Sequence, residues 1–158
     1  MQRLKRILVA VDFSQPSTQA AELAADIATS CGAELVLLTV VEHLDSPQAG
    51  LARIAQNRYP NEPATRVVEE AARAELHLLG ERLTALGERL TAATGLRVAC
   101  QVEVGEVAEA ILAFAECNAI DLIAVGHTGH NRLISAVLGS VAKRVIDTAV
   151  CPVLVVRL

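Results

Sequence analysis

The sequence is poor in aromatic residues, with no Trp, one Tyr and two Phe among its 158 residues. An aliphatic core is therefore expected, and stacking of nucleobases on aromatic platforms is disfavoured. An excess of positive charge is also lacking, since the formal net charge is −4. Proteins that bind a nucleic-acid backbone need clustered Lys and Arg, so a nucleic-acid partner is not expected.

Long apolar runs and paired cysteines are lacking as well. The first apolar run, Ile7–Val11, is too short for a secretory signal and is followed by Asp12, and no run approaches the length of a membrane span. No C-x-x-C pair occurs, which favours reduced, mostly buried cysteines. The four are Cys31, Cys100, Cys117 and Cys151. We expect a cytoplasmic protein with no membrane partner.

Hydrophobic residues make up 53% of the chain and charged residues 20%, which predicts a packed globule, and the length fits one domain spanning residues 1–158. Five aliphatic runs alternate with four helical segments. This alternation predicts an α/β fold with three layers, a doubly wound parallel sheet with helices on both faces. The predicted strands are Ile7–Asp12, Glu34–Val40, Leu96–Val104, Asp121–Val125 and Pro152–Val156. An irregular excursion, Glu42–Thr65, interrupts the pattern.

Capping residues delimit the predicted helices. Ser14 is a good N-cap with Pro16 in the first turn, and Gly32 and Gly95 are expected to end the first two helices in the left-handed conformation. The second helix is predicted from about Arg66. The first is expected to turn inward an apolar stripe formed by Ala20, Leu23, Ala24, Ile27 and Ala28. The last two helices are predicted at Glu106–Cys117 and Ser140–Ala149.

The stretch Gly126–Val141 lies between the fourth predicted strand and the last helix. A loop leads from Gly126 to Gly139-Ser140, where that helix is expected to begin. A helix start offers unpaired N–H groups and roughly half a positive charge, and glycine lets the backbone approach a ligand closely. The expected ligand is a phosphate.

The spacing of the loop separates it from two common phosphate-binding motifs. A Walker A loop ends in Gly-Lys-[Ser/Thr], but here Ser140 is followed by Val141. A dinucleotide fingerprint would follow the first strand, where the chain has Asp12-Phe13-Ser14. The pattern is instead G-x-x-G-x9-G-[ST], with matches at Gly126, Gly129, Gly139 and Ser140.

In its strand–loop–helix context, this pattern resembles the ATP-binding branch of the universal stress protein family, and the similarity extends from Ile7 to Val156. The resemblance implies the sheet order 3-2-1-4-5, which places the ends of the first and fourth strands side by side. In such sheets, ligands bind at the carboxyl ends of the strands where the strand order reverses. The implied ligand is ATP, or ADP or AMP, with Mg²⁺ as its companion.

The resemblance also implies roles for single residues. Asp12 would lie near the ribose and help to hold a divalent metal, the nucleotide-bound Mg²⁺, and the backbone at Val40 would address the adenine. The glycine loop and helix start would hold the phosphates through Gly126, Gly129, Gly139, Ser140 and Val141. Val125 is also expected among the nucleotide-binding residues. Many relatives carry Arg or another polar donor where this chain has Thr128. Positive charge on the outer phosphates would then come from Arg132, His127 or His130, which weakens the preference for a triphosphate.

Each of these features has a simpler interpretation. Asp12 could merely cap the turn with Ser14, and the three glycines could serve tight turns only. His127 and His130 could ligate a metal, but two loop histidines without a third ligand are a weak signal. Lys143 and Arg144 are expected on a solvated helix face, although the helix start is near enough for one of them to reach a phosphate.

Taken together, these features predict a regulatory protein in which ATP shifts the population of a loop or a dimer, rather than an enzyme. The loop offers no nucleophile–base pair and no second carboxylate beside Asp12, so ATP hydrolysis would be slow at most. Two alternatives remain: a nucleotide-independent dimeric scaffold that acts through protein partners, and an adenine-nucleotide hydrolase, which would need a different glycine loop after the first strand. The terminal strand, Val153–Val156, is expected to be an aliphatic sheet edge. Family members dimerise through this strand, which implies a homodimer with an unidentified regulatory partner.

Overall fold

The computed structural model of the chain describes residues 4–42, 64–128 and 138–157. Most of the 42–65 excursion therefore lies outside the described residues, as do three residues of the predicted site. These three are Gly129, His130 and Arg132.

Strands and helices alternate along the described chain, as the sequence predicts. The boundaries differ from the expected ones by a few residues: α2 begins at Ala64 rather than near Arg66, and β3 begins at Val98 rather than Leu96. The elements are β1 (Arg6–Ala10), α1 (Gln15–Cys31), β2 (Glu34–Val41), α2 (Ala64–Thr94), β3 (Val98–Val104), α3 (Val107–Cys117), β4 (Leu122–Gly126), α4 (Ser140–Thr148) and β5 (Val153–Val156).

The five strands form one sheet in the order β3-β2-β1-β4-β5, and each strand runs parallel to its neighbours. This confirms the predicted doubly wound fold and its order. The centre is β1, where Leu8 is paired with Val36 of β2 on one side and Ile123 of β4 on the other. The strand order reverses at β1, so the carboxyl ends of β1 and β4 flank the switch point.

Helices cover both faces of the sheet because successive side chains of a strand point to opposite faces. Ile7 and Val9 belong to the core under α1 and α2. Leu8 belongs to the core under α3 and α4. All three side chains are fully buried, which explains why β1 reads as one uninterrupted aliphatic run. Within residues 4–42, 64–128 and 138–157, every helix is too short or too polar to span a bilayer.

The caps of α1 and α2 are confirmed. Ser14 accepts a hydrogen bond from the Ser17 amide at 3.4 Å. Gly32 ends α1 with φ of 69°, and its amide donates to Ala28. Gly95 follows α2 with φ of 75°, and its amide donates to the Thr91 carbonyl at 2.8 Å. These positive φ values favour glycine at both positions.

Two expectations about burial are wrong. Leu23 was expected to point inward but is 42% exposed, because α1 packs through a face of small side chains that lets the helix approach the sheet closely. That face consists of Ser17, Ala20, Ala21, Ala24, Ala25 and Ala28. The cysteines are free, as predicted, but Cys117 is exposed and the other three are only half-buried. Cys117 lies in the last turn of a surface helix, and Cys100 lies on the edge strand β3, which limits how far each can be covered.

Candidate functional site

The chain that leaves β1 is tied to β2 by a buried hydroxyl. Val11 donates its amide hydrogen to the Leu38 carbonyl at 2.8 Å, and Thr39 donates its hydroxyl to the Val11 carbonyl at 2.9 Å. Thr39 is 3% exposed. Sequence reasoning did not assign Thr39 a role, although a single hydroxyl within the aliphatic run of β2 is the signal that could have found it. The direction of the chain into Asp12 is thus fixed by β2.

Asp12 lies exposed at the carboxyl end of β1 and forms a tight turn with the start of α1. Its carboxylate accepts hydrogen bonds from the Ser14 amide at 3.0 Å and from the Ser14 hydroxyl. Its own amide donates to the Ser17 hydroxyl at 3.3 Å. The capping interpretation of Asp12 is therefore observed, and contact with a ligand stays a prediction.

Phe13 occupies the centre of this turn in a strained conformation, with φ of 62°. A bulky residue in the left-handed region costs on the order of 1–2 kcal/mol, so surrounding contacts must hold it there. Phe13 packs against the core under α1 and α2, and the Arg82 guanidinium of α2 lies 4.1 Å from the centre of its ring. This cation–π contact anchors the turn from outside the sheet.

Gly126, the last residue of β4, lies directly under the start of α1. A Cβ at this position would stand 2.9 Å from the Pro16 carbonyl carbon, the Pro16 Cβ and the Ser17 amide nitrogen. Glycine is required here because the start of α1 packs over the end of β4. The same packing places the Asp12 turn against the end of β4, since Ser17 also contacts Asp12.

The two ends of the glycine loop meet at His127. Its amide donates to the Val156 carbonyl of β5 at 2.7 Å, and its carbonyl accepts from the Gly139 amide at 2.8 Å. Gly139 is the N-cap of α4 and has no side chain with which to cap the helix. The first-turn amides of α4 have no partner within the helix, and Ser140 at its first position is exposed. Amides of this kind, together with the positive end of the helix dipole, are the groups that an anion contacts at a helix start.

The structure brings together most of the predicted site residues that it describes. Asp12, Gly126, Gly139 and Ser140 all lie at the carboxyl edge of the sheet beside the switch point. The side chain of Val125 is buried in the core, so this residue offers a ligand only its backbone. Val40, near the end of β2, and Val141, in the first turn of α4, are half-buried.

The imidazole of His127 contacts Arg157. The residue is 9% exposed, and its Nε2 lies 3.1 Å from an Arg157 guanidinium nitrogen. Arginine can only donate, so a hydrogen bond between the two side chains requires Nε2 to accept. The imidazole is thus engaged by Arg157, and a role for it at the outer phosphates stays a prediction. Among the described residues, no group of three His, Cys, Asp or Glu side chains is placed to hold a metal ion.

Arg144 is engaged by α3 rather than directed to the helix start. Its guanidinium lies 2.7 Å from a Glu109 carboxylate oxygen and 3.8 Å from one of Glu106. This fits the solvated helix face expected for it. A separate open cavity of about 530 Å³ lies between α2 and β3, lined by His77, Glu81 and Cys100 among others, and contains none of the predicted site residues.

Comparison with known proteins decides the family. The sequence model of the universal stress protein family matches residues 3–157. The chain belongs to the universal stress protein family. It is 34% identical over 153 residues to universal stress protein MJ0531 of Methanocaldococcus jannaschii, covering 97% of this chain and 82% of the relative.

Solved structures of universal stress proteins share the fold. UspA from Lactobacillus plantarum superposes with a TM-score of 0.72 at 28% identity, covering 99% of this chain and all of the other. The universal stress protein from Archaeoglobus fulgidus in complex with dAMP superposes with a TM-score of 0.60 at 20% identity, covering 99% of this chain and 100% of the other. The latter likeness, at such low identity, shows the fold alone.

Proposed function

We propose that this universal stress protein is a regulatory protein that binds an adenine nucleotide, ATP in the first instance, at the carboxyl edge of its sheet. Bound nucleotide shifts the equilibrium between conformations or between monomer and dimer. This proposed role requires no catalytic residue.

The observation that carries the proposal is the start of α4. Gly139 caps this helix without a side chain, Ser140 presents an exposed hydroxyl, and the bond from Gly139 to His127 holds the helix start against the end of β4. Backbone N–H groups at a helix N-terminus are suited to phosphate oxygens. The helix start lies at the switch point, where ligands of open α/β sheets bind.

The remaining parts of a nucleotide fit the neighbouring strand ends. Asp12 stands exposed at the end of β1, where a carboxylate can accept from ribose hydroxyls and contact a Mg²⁺ ion carried by the phosphates. Val40 would address the adenine through its backbone. The universal stress protein from Archaeoglobus fulgidus has been solved in complex with dAMP, so this fold can accommodate an adenine nucleotide.

The proposal is tested by adding charge at the helix start. Ser140→Asp places a carboxylate at the first position of α4, where it favours the helix through the dipole but repels phosphate. We expect nucleotide measured by chromatography after heat denaturation to be lost, and calorimetric ATP, ADP and AMP affinity to fall at least about tenfold. The thermal midpoint should stay unchanged or rise.

Two control variants separate the effect of added negative charge from the effect of changing the proposed binding site. Gln101→Glu adds the same charge at an exposed position of β3, at the far edge of the sheet, and should leave nucleotide affinity unchanged. Ser140→Ala removes only the hydroxyl and should weaken binding less than Ser140→Asp. Failure of the wild-type protein to bind any adenine nucleotide, while folded, would reject the proposal.

A nucleotide-independent dimeric scaffold is the second candidate, and it would rest on the position of β5 alone. This strand stands at one end of the described sheet, and Val153, Leu154 and Val155 are half-buried. An aliphatic edge strand can pair with a second copy of the chain. We propose a homodimer through residues 153–156 under either function, with a regulatory protein as a further partner. The four free cysteines are typical of a reducing compartment and support a cytoplasmic location.

A further inference from the structure

His127 and Arg157 form a contact that the proposed function leaves unexplained. His127 is the first residue after β4, and Arg157 is the first residue after β5. The guanidinium of Arg157 lies 3.1 Å from Nε2 of His127. His127 is 9% exposed. Arg157 itself is exposed. A solvated arginine therefore reaches inward to a covered imidazole at the start of the glycine loop.

The backbone of His127 links two other elements. Its amide is bonded to Val156 of β5 at 2.7 Å, and its carbonyl to the amide of Gly139, the N-cap of α4, at 2.8 Å. The side chain adds the third bond. Any rotation of the His127 backbone must break the bond to β5 or move the N-cap of α4, so the residue acts as a junction between β4, β5 and the helix start.

We propose that Arg157 is a positioning residue that fixes the start of α4 through His127. The inference rests on the proposed nucleotide site, because the element it positions is the one assigned to the phosphates. Arg157 donates to Nε2 and locks the ring with its proton on Nδ1. The locked ring restricts the backbone of His127, and the His127 carbonyl in turn fixes the Gly139 amide. The first-turn amides of α4 then face the switch point of the sheet.

The first test reads the contact without any nucleotide. Nitrogen-15 NMR of the imidazole should show the His127 proton on Nδ1 in the wild type and shared between both nitrogens in Arg157→Ala. Hydrogen exchange of the Gly139 amide should be about tenfold faster in Arg157→Ala, since its acceptor is no longer held. Arg97→Ala, which removes an exposed arginine ahead of β3, should change neither reading.

The second test measures ATP affinity. Arg157→Ala should raise the ATP dissociation constant about tenfold, as expected for loss of one charge-assisted hydrogen bond that orders the site. His127→Phe keeps a planar ring but lacks an acceptor and should show the same rise, and combining it with Arg157→Ala should add nothing further. His127→Gln offers an oxygen near the position of Nε2 and should restore most of the affinity. These results would support the positioning role.

Three outcomes would overturn it. A proton on Nε2 in the wild type would mean that Arg157 does not donate there. Unchanged Gly139 exchange in Arg157→Ala would mean that the contact positions nothing. Unchanged ATP affinity in that variant, with a wild type that binds ATP, would mean that the position does not matter to the site. If the wild type binds no nucleotide, the proposed function fails, and the two measurements on the free protein still decide whether Arg157 positions the helix start.

Discussion

Gly126→Ala adds one methyl group where β4 passes under the start of α1. The new Cβ would lie 2.9 Å from three atoms of Pro16 and Ser17, whereas ordinary contacts of this kind lie at 3.4–4 Å. Two of the three are backbone atoms and the third is the proline Cβ, so no flexible side-chain end can swing away. The start of α1 must retreat by at least about half an ångström. Gly126 is not among the positive-φ residues, so the cost arises from packing alone.

Overpacking of this kind costs typically about 1–3 kcal/mol. For a domain of this size, about 2–4 °C of thermal midpoint corresponds to each kcal/mol, so a fall of about 2–12 °C is expected. The matched control is Gly80→Ala in α2, where a Cβ meets nothing within 4 Å. Alanine is about 1 kcal/mol better than glycine inside a helix, so this variant should be more stable than the wild type.

Calorimetry or urea unfolding of the two variants beside the wild type measures both effects. The same chemical change should thus act with opposite sign at the two positions. A Gly126→Ala protein as stable as the wild type would refute the packing of α1 over β4, and with it the placement of the Asp12 turn beside the end of β4.

Three further predictions concern charge, reactivity and assembly. The pKa of Asp121 is lowered because its carboxylate accepts from the Lys5 and Arg6 amides at 2.7 and 3.0 Å. Its stabilising contribution should therefore be present above about pH 4 and lost as the pH falls through the lower folded-state pKa, and urea titrations of wild type and Asp121→Asn should converge in acid. Burial, with Glu88 as a second cause, raises the pKa of Cys100, so iodoacetamide should label exposed Cys117 first, as mass spectrometry would show. Sedimentation at micromolar concentration should show a dimer, and a monomer would count against pairing through β5.

The fold followed from the sequence because its signals are local and agree with one another. The fully buried β1 reads as an uninterrupted aliphatic run, and Ser14 and Gly32 mark the two ends of α1. Element type and order were therefore predictable from residues alone. The strand order was not, because pairing between distant strands leaves no periodic trace in the chain, and it came from the family resemblance.

Burial and contacts within the site were less predictable. In the sequence, the helical stripe that includes Leu23 is as regular as the alanine face of α1. Only the close approach of α1 to β1 and β4 decides which of the two faces packs against the sheet. The pairing of His127 with Arg157 joins residues 30 positions apart and has no sequence signature. The engagement of Arg144 by α3 likewise depends on how two helices pack. Such contacts are set by tertiary structure.

The two described glycines of the motif carry different weight as evidence for a ligand. Gly126 is explained by helix packing, since a Cβ there meets the backbone of α1. Gly139 has φ of −62° and ψ of 150°, extended backbone that any residue adopts, so backbone conformation does not demand glycine. For a helix start alone, Ser at the N-cap would be equal or better by a few tenths of a kcal/mol. Backbone conformation and helix capping therefore leave the glycine unexplained, and we propose that it leaves room for an anion beside the first-turn amides of α4.

Gly139→Ser turns this reasoning into a measurement. The serine hydroxyl would accept from the first-turn amides of α4 and occupy the space beside them, so unfolding free energy should stay within a few tenths of a kcal/mol of the wild type or rise. Nucleotide affinity should fall about tenfold or more, because the hydroxyl competes with phosphate for the same donors. A matched variant, Ser14→Gly, removes the N-cap side chain of α1 and tests the reverse change at a helix start that is already capped. Unchanged nucleotide affinity in Gly139→Ser would show that the amides of α4 do not hold the phosphates, and the glycine of the motif would need another explanation.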